Sequence, residues 1–273
     1  MPFNNASGTE GTIGMTDPLA GIRAIVTGGA SGMGAGIVSA YARGGARVIS
    51  LDIQAGPGTE IAEKATAAGR GQARFIPADV SDRASVDAAF AQAADVLGGL
   101  DVLVHAAGIA PGAPAEEITV EDWDTVFAIN ARGTFLTNQA AFRALRDSGG
   151  AIINFASAAG VTGLPNKAHY SASKGAVVAW TRTVAKEWGE HGITVNMIAP
   201  AISTPMYAKT RSLMTAEQLA ALDATLRAEM PIDGKLGEID RDLVPLLVFL
   251  AGPGARFMTG QIFSVDGGIL MVR

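Results

Sequence analysis

Cysteine is missing altogether from the 273 residues. That excludes disulfides, thiolate nucleophiles and thiolate-bound metal, and it agrees with a reducing compartment, for which we expect the cytoplasm. Histidine is scarce: His105, His169 and His191 stand far apart without ligand spacing, so no metal site is expected. Aromatic residues make up only 6%. Positive charge is in deficit, 21 Lys and Arg against 26 Asp and Glu for a net charge of −5, and no basic run is present. Nucleic acid and anionic membrane surfaces are therefore poor partners. No apolar run approaches the roughly eighteen residues that would span a bilayer. The first twenty residues, MPFNNASGTEGTIGMTDPLA, lack the basic start and apolar core of a signal peptide. They read as a polar extension (1–20) ahead of one domain over 21–273.

What the chain does have is apolar content, 48% of its residues, enough for a substantial core. From residue 22 onwards short β-branched runs (IRAIVT, ARVISLD, ARFIPAD, DVLVHAA, AIINFAS, ITVNMIAP, QIFSVDGG) alternate with helical spacing over 33–44, 58–69, 82–97, 119–146, 168–190 and 238–251. Apolar strands alternating with helices predict an α/β domain whose seven-stranded parallel sheet is covered on both faces. Residues 201–237 break the rhythm as an insertion after the sixth strand, with a helical piece near 215–230. It falls at the carboxyl ends of the strands, where such sheets bind ligands.

The first strand runs into Thr27-Gly28-Gly29-Ala30-Ser31-Gly32-Met33-Gly34, and a helix follows. Glycines permit a tight turn and close approach of backbone to a pyrophosphate, and the free amides of a helix start attract negative charge. Gly28, Ser31, Gly32, Met33 and Gly34 are thus candidate phosphate contacts. The second strand ends on Asp52 with Ile53 behind it, about where an acid meets the adenosine ribose hydroxyls. Its carboxylate would repel a 2′-phosphate, and no Lys or Arg in the loop offsets that repulsion, so NAD is favoured over NADP. Asp79 and Val80, closing the third strand, are placed to border the adenine.

Tyr170 and Lys174 are four residues apart, on one face of a helix. A nearby ammonium favours a phenolate, so the tyrosine pKa is expected to fall toward neutrality, where a phenol can exchange protons with an alcohol or a carbonyl.

With Asn130-Ala-Arg-Gly133, Ser157 and the closing Met258-Thr-Gly-Gln-x-x-x-Val-Asp-Gly-Gly268, these motifs in this order resemble the short-chain dehydrogenases/reductases from about residue 20 to 270. The resemblance implies a single-domain Rossmann fold, a doubly wound sheet, and hydride transfer between NAD and a small alcohol or ketone. It implies a catalytic set of Asn130, Ser157, Tyr170 and Lys174. Ser157 would bond the substrate oxygen, Lys174 would also hold the nicotinamide ribose, and Asn130 would support a water linking the lysine to solvent. Ala106, Ala107 and Gly108 would leave room for the cofactor, and Pro200, Ile202 and Thr204 would meet the nicotinamide amide. Homo-oligomers, dimers or tetramers, are implied through the long helices and the 238–251 helix.

Two departures stand out. His105 occupies a position that is often Asn in the family and reads as a hydrogen-bonded structural substitute. Pro200 is followed by Ala201 in place of the usual Gly, and Thr204 comes one residue early. Candidate substrate contacts are mostly apolar: Ala158, Ala159, Gly160, Val161, Leu164, Met206, Tyr207, Leu213 and Met214. Lys209 and Arg211 are candidates for a substrate carboxylate. Against the alcohol dehydrogenase stand a 3-oxoacyl-thioester reductase, which Asp52 disfavours because NADP usually drives it, and a non-catalytic nucleotide sensor, which has no need of Ser157, Tyr170 and Lys174 together. A sugar-nucleotide epimerase would need a larger lobe after the sixth strand.

Overall fold

The computed structural model describes residues 18–271. The extension read for 1–20 lies, up to residue 17, outside the described residues. Seven parallel strands form one sheet: β1 (Arg23–Thr27), β2 (Arg47–Asp52), β3 (Gln72–Pro77), β4 (Val102–His105), β5 (Gly150–Phe155), β6 (Ile193–Pro200) and β7 (Ile262–Val265), in the spatial order β3-β2-β1-β4-β5-β6-β7. The order reverses between β1 and β4, which opens a crevice at their carboxyl ends.

Each expected helical stretch is present: α1 (Gly32–Arg43), α2 (Ala55–Ala68), α3 (Arg83–Leu97), α4 (Val120–Phe127), α5 (Gly133–Leu145), the short α6 (Ala159–Thr162), α7 (Ala168–Glu187), α8 (Pro205–Ser212), α9 (Ala216–Glu229) and α10 (Val244–Ala251). Strand side chains alternate between two cores. Ala24 and Val26 of β1 join Ile37 and Tyr41 of α1 and Leu247 of α10 on one face. Ile25, between them in sequence, joins Phe90 of α3, Leu136 of α5 and Val184 of α7 on the other. Burial of an Ile, Leu or Phe contributes roughly 1.5–3 kcal/mol, and because both faces are covered the strands are apolar nearly throughout. The same alternation sends Thr27, His105 and Asn154 toward α5 and α7, where they form a buried polar layer. Among the described residues no helix is long and apolar enough to cross a membrane.

The single helix expected over 119–146 is interrupted. α4 starts with a capping box between Thr119 and Asp122, a cap worth about 1 kcal/mol. A π turn over Ala128–Arg132 then precedes α5. The stretch expected over 238–251 likewise opens as a π turn, Ile239–Leu243; Pro245 stands in the first turn of α10, where its missing amide is tolerated but cannot continue an earlier helix. The insertion carries α8 as well as the expected α9. Its base is closed by backbone bonds from Ser203 N to Gly237 O (2.8 Å) and from Gly237 N to Ala201 O (3.0 Å).

Candidate active site

The glycine loop lies against the end of β4. Gly28 has φ +70, and a Cβ there would come within 2.9 Å of the Ala107 backbone. At Gly34 a Cβ would lie 2.1 Å from the Gly28 carbonyl oxygen, so both positions need glycine. At Gly32 a Cβ would meet nothing within 4 Å; this limb of the loop faces open space. Behind it α1 begins at Ser31 with no side-chain cap and no acid in its first turn, leaving amides and the positive end of the helix dipole for an anion. The cradle fits a pyrophosphate.

Asp52 ends β2 beside this loop and anchors it. Its Oδ2 accepts from Ala30 N at 3.1 Å, and its Oδ1 accepts from Gln54 N at 3.0 Å. Ile53 is exposed. Asp79 Oδ1 accepts from Ser81 N (2.8 Å) and Ser81 Oγ (2.7 Å), while Val80 is buried against Gly133.

Asn130 occupies the π turn with no exposure. Its Oδ1 accepts from Ile109 N at 2.9 Å, and its Nδ2 donates to Ile109 O at 2.9 Å and to Ser173 Oγ at 3.0 Å. The side chain thereby fastens the segment after β4 to α7. An extra residue in a helical turn is a local cost that commonly marks a functional position. Lys174 is buried, and its Nζ donates to Phe155 O at 2.6 Å. A Cβ on Gly108 would sit 3.1 Å from Asn130 Oδ1 and 3.5 Å from Lys174 Nζ, so a small residue here keeps the space between them open. Ser157 Oγ accepts from Ala159 N at 3.2 Å and is hydrogen-bonded to the Tyr170 phenol. Ser173 Oγ donates to Tyr170 O at 2.8 Å. Asn130, Ser157, Tyr170 and Lys174 thus meet in one cluster at the carboxyl ends of β4 and β5.

The electrostatics correct one expectation. Burial holds the Tyr170 pKa above the ordinary phenol value, and the bond from Ser157 pulls it partly back. The ammonium does not lower it in this arrangement, because Nζ lies 6.0 Å from the ring centroid and is directed at the Phe155 carbonyl. Burial lowers Lys174 itself to about 8, which leaves it mostly charged at neutral pH.

His105 is buried, and its Nδ1 lies 3.0 Å from both Thr27 Oγ1 and Thr137 Oγ1. Thr27 Oγ1 also accepts from Ala107 N at 3.1 Å, so the imidazole helps to seat Ala106, Ala107 and Gly108 against the glycine loop. Desolvation first, and the charge of Lys174 second, lower its pKa to about 3. It is neutral at physiological pH.

On the insertion side Pro200 ends β6, Ile202 is buried, and Thr204 caps α8 by accepting from Tyr207 N at 3.3 Å. Arg211 does not present its charge to the site. It forks onto Asp223 of α9 (Nη1 to Oδ1 2.6 Å, Nη2 to Oδ2 3.2 Å) and stacks over the Tyr207 ring at 5.8 Å. Val161, Leu164 and Leu213 are exposed. One polar residue was missed from the sequence: Lys167, whose Nζ donates to the Ala110 carbonyl. Its position three residues before Tyr170 was the available signal.

A family model described as enoyl-(acyl carrier protein) reductase matches residues 28–270. The chain is 40% identical over 252 residues to a D-threitol dehydrogenase of Mycolicibacterium smegmatis, covering 92% of this chain and 93% of that protein. It is 38% identical over 261 residues to a sorbitol dehydrogenase of Cereibacter sphaeroides, covering 92% and 98%. The solved structure of a putative short-chain alcohol dehydrogenase from Sinorhizobium meliloti 1021 superposes with a TM-score of 0.84 at 32% identity, over 93% of this chain and 98% of that one.

Proposed function

The chain belongs to the short-chain dehydrogenase/reductase family and is an oxidoreductase interconverting secondary alcohols and ketones; from that premise we propose that NAD is its hydride carrier and that Asn130, Ser157, Tyr170 and Lys174 manage the proton. The observation that carries this reading is the Tyr170 phenol, hydrogen-bonded to Ser157 and one helical turn from a buried Lys174, in the crevice behind an uncapped helix start.

Bound nicotinamide supplies the hydride acceptor or donor. Gly28, Ser31, Gly32, Met33 and Gly34 with the start of α1 would hold the pyrophosphate. Asp52 would bond the adenosine ribose and repel a 2′-phosphate, with Ile53, Asp79 and Val80 bordering the adenine. Ala106, Ala107 and Gly108 leave room beside Asn130 and Lys174, and Pro200, Ile202 and Thr204 would flank the nicotinamide amide. Ser157 orients the substrate oxygen. In reduction Tyr170 gives its proton to the developing alkoxide, and in oxidation its phenolate removes the alcohol proton, a contribution of roughly 10²–10⁴-fold for a well-placed acid or base. Lys174, charged at neutral pH, would hold the nicotinamide ribose. Asn130 holds Ile109 and Ser173, and so the register of α7 beneath the phenol.

We further place the protein in the cytoplasm, on its lack of cysteine, and as a dimer or tetramer. Supporting association, Val120 and Trp123 on α4 are exposed and Trp123 stacks on Phe127 at 4.5 Å. A panel of secondary alcohols and ketones, headed by threitol and sorbitol, assayed by nicotinamide absorbance with each cofactor, tests the reading. NAD-linked turnover of panel members is expected. Silence across the panel in both directions would overturn it.

A further inference from the structure

Arg211, expected to be free for an anionic substrate, is consumed by its fork onto Asp223. Another cation stands at the entrance to α7: Lys167. It precedes α7 as its N-terminal flanking residue, three positions before Tyr170 in sequence. The segment after β4 and the segment before α7 are zipped together where Ala113 N donates to Asn166 O at 3.0 Å. The lysine stem crosses that junction: a Cβ on Gly112 would lie 3.0 Å from Lys167 Cε and 3.1 Å from its Nζ. Nζ donates to the neutral Ala110 carbonyl, which satisfies one of its three N–H groups. Among the described residues no carboxylate is paired with it. Burial, with no acid to offset it, is what pushes its pKa down. A partly exposed ammonium that meets no carboxylate keeps N–H donors for an anion arriving from the substrate side.

We propose that Lys167 is a specificity-determining residue that binds a carboxylate carried by the substrate, so that the preferred substrates are hydroxy acids and their keto acids, held with the carbinol carbon at Tyr170. This rests on the reading of Tyr170 as the proton-exchange group. The apolar Val161 and Leu164 before α7 suit the hydrocarbon between the two polar ends.

The test reads binding apart from turnover. Pentanoate and cyclohexanecarboxylate, neither of which can be oxidised, are titrated calorimetrically into the NAD-saturated protein alongside their amides. At least one acid is expected to bind about tenfold tighter than its amide, the worth of one charge-assisted bond. Lys167→Gln, which keeps a donor for the Ala110 carbonyl, is expected to abolish that advantage, and Lys167→Arg to restore most of it. Equal affinity for acid and amide in the unaltered protein, or an advantage that survives in Lys167→Gln, would overturn the proposal. A protein that discriminates acid from amide yet oxidises no alcohol would contradict the proton-exchange reading alone and leave the anion subsite standing.

Discussion

A phenol proposed to trade a proton is difficult to bury, and Tyr170 shows why. Desolvation disfavours its anion and raises its pKa, while Ser157 works in the opposite direction. At neutral pH the residue is therefore protonated and suited to reduction; oxidation requires the phenolate and is expected to gain kcat/KM as pH rises through the raised value. Ser157→Ala removes the bond that lowers the pKa, so the rising limb of oxidation should move to higher pH as the rate falls. A limb that stays in place or moves to lower pH would remove Ser157 from this role. His105 gives a stability counterpart. The unfolded chain takes up its proton near 6.5 and the folded protein near 3, so between those values the unfolded state binds more protons and stability is lost as pH falls. Urea midpoints across that window should decline less steeply in His105→Asn than in the unaltered protein; identical slopes would contradict the burial argument. The identities and spacing of Tyr170 and Lys174 were legible in the sequence because a helix turns them to one face. The direction of the tyrosine shift was not, because it depends on burial by the folded chain and on the Ser157 side chain, thirteen residues away in sequence.

At the scale of elements, strand and helix order followed from hydrophobic period, and the glycine loop from residue type. The π turns did not, since an inserted residue in a helix leaves the apolar pattern nearly unchanged; the one local hint was Asn130 inside a helical stretch. The tie between α8 and α9 through Arg211 and Asp223 was likewise hidden, because the pairing depends on how two short helices fold back on each other. At the end of β2, Asp52 braces the glycine loop through Ala30 N, and it is the carboxylate proposed to set cofactor choice. Asp52→Asn keeps an acceptor for that amide and removes only the charge. Preference for NAD over NADP should narrow by about tenfold or more, as a like-charge contact costs upwards of about 1.4 kcal/mol. An unchanged ratio of kcat/KM for the two cofactors would dismiss the carboxylate as the discriminator.

For the whole molecule, the sheet order places β1 between β2 and β4 and so brings the glycine loop, Asp52 and the cluster of Asn130, Ser157, Tyr170 and Lys174 to the crevice. Alternation along the strands was readable and assigns Thr27, His105 and Asn154 to one face. Their partners were not: Thr27 and His105 are 78 residues apart and meet only through strand register. The exposed side chains of Val120 and Trp123 leave apolar surface on a subunit of 27.9 kDa. Sedimentation equilibrium is expected to give two or four times that mass, and Val120→Asp to weaken the assembly. A monomer at every concentration would refute the association.

The most direct test of the central claim is Tyr170→Phe, compared with the unaltered protein by NAD titration and by turnover of whichever alcohol the panel reveals. NAD affinity should be nearly unchanged while kcat falls by roughly 10²–10⁴-fold, because the phosphate and ribose contacts survive and the proton donor does not. Near-normal kcat in that variant would contradict the account.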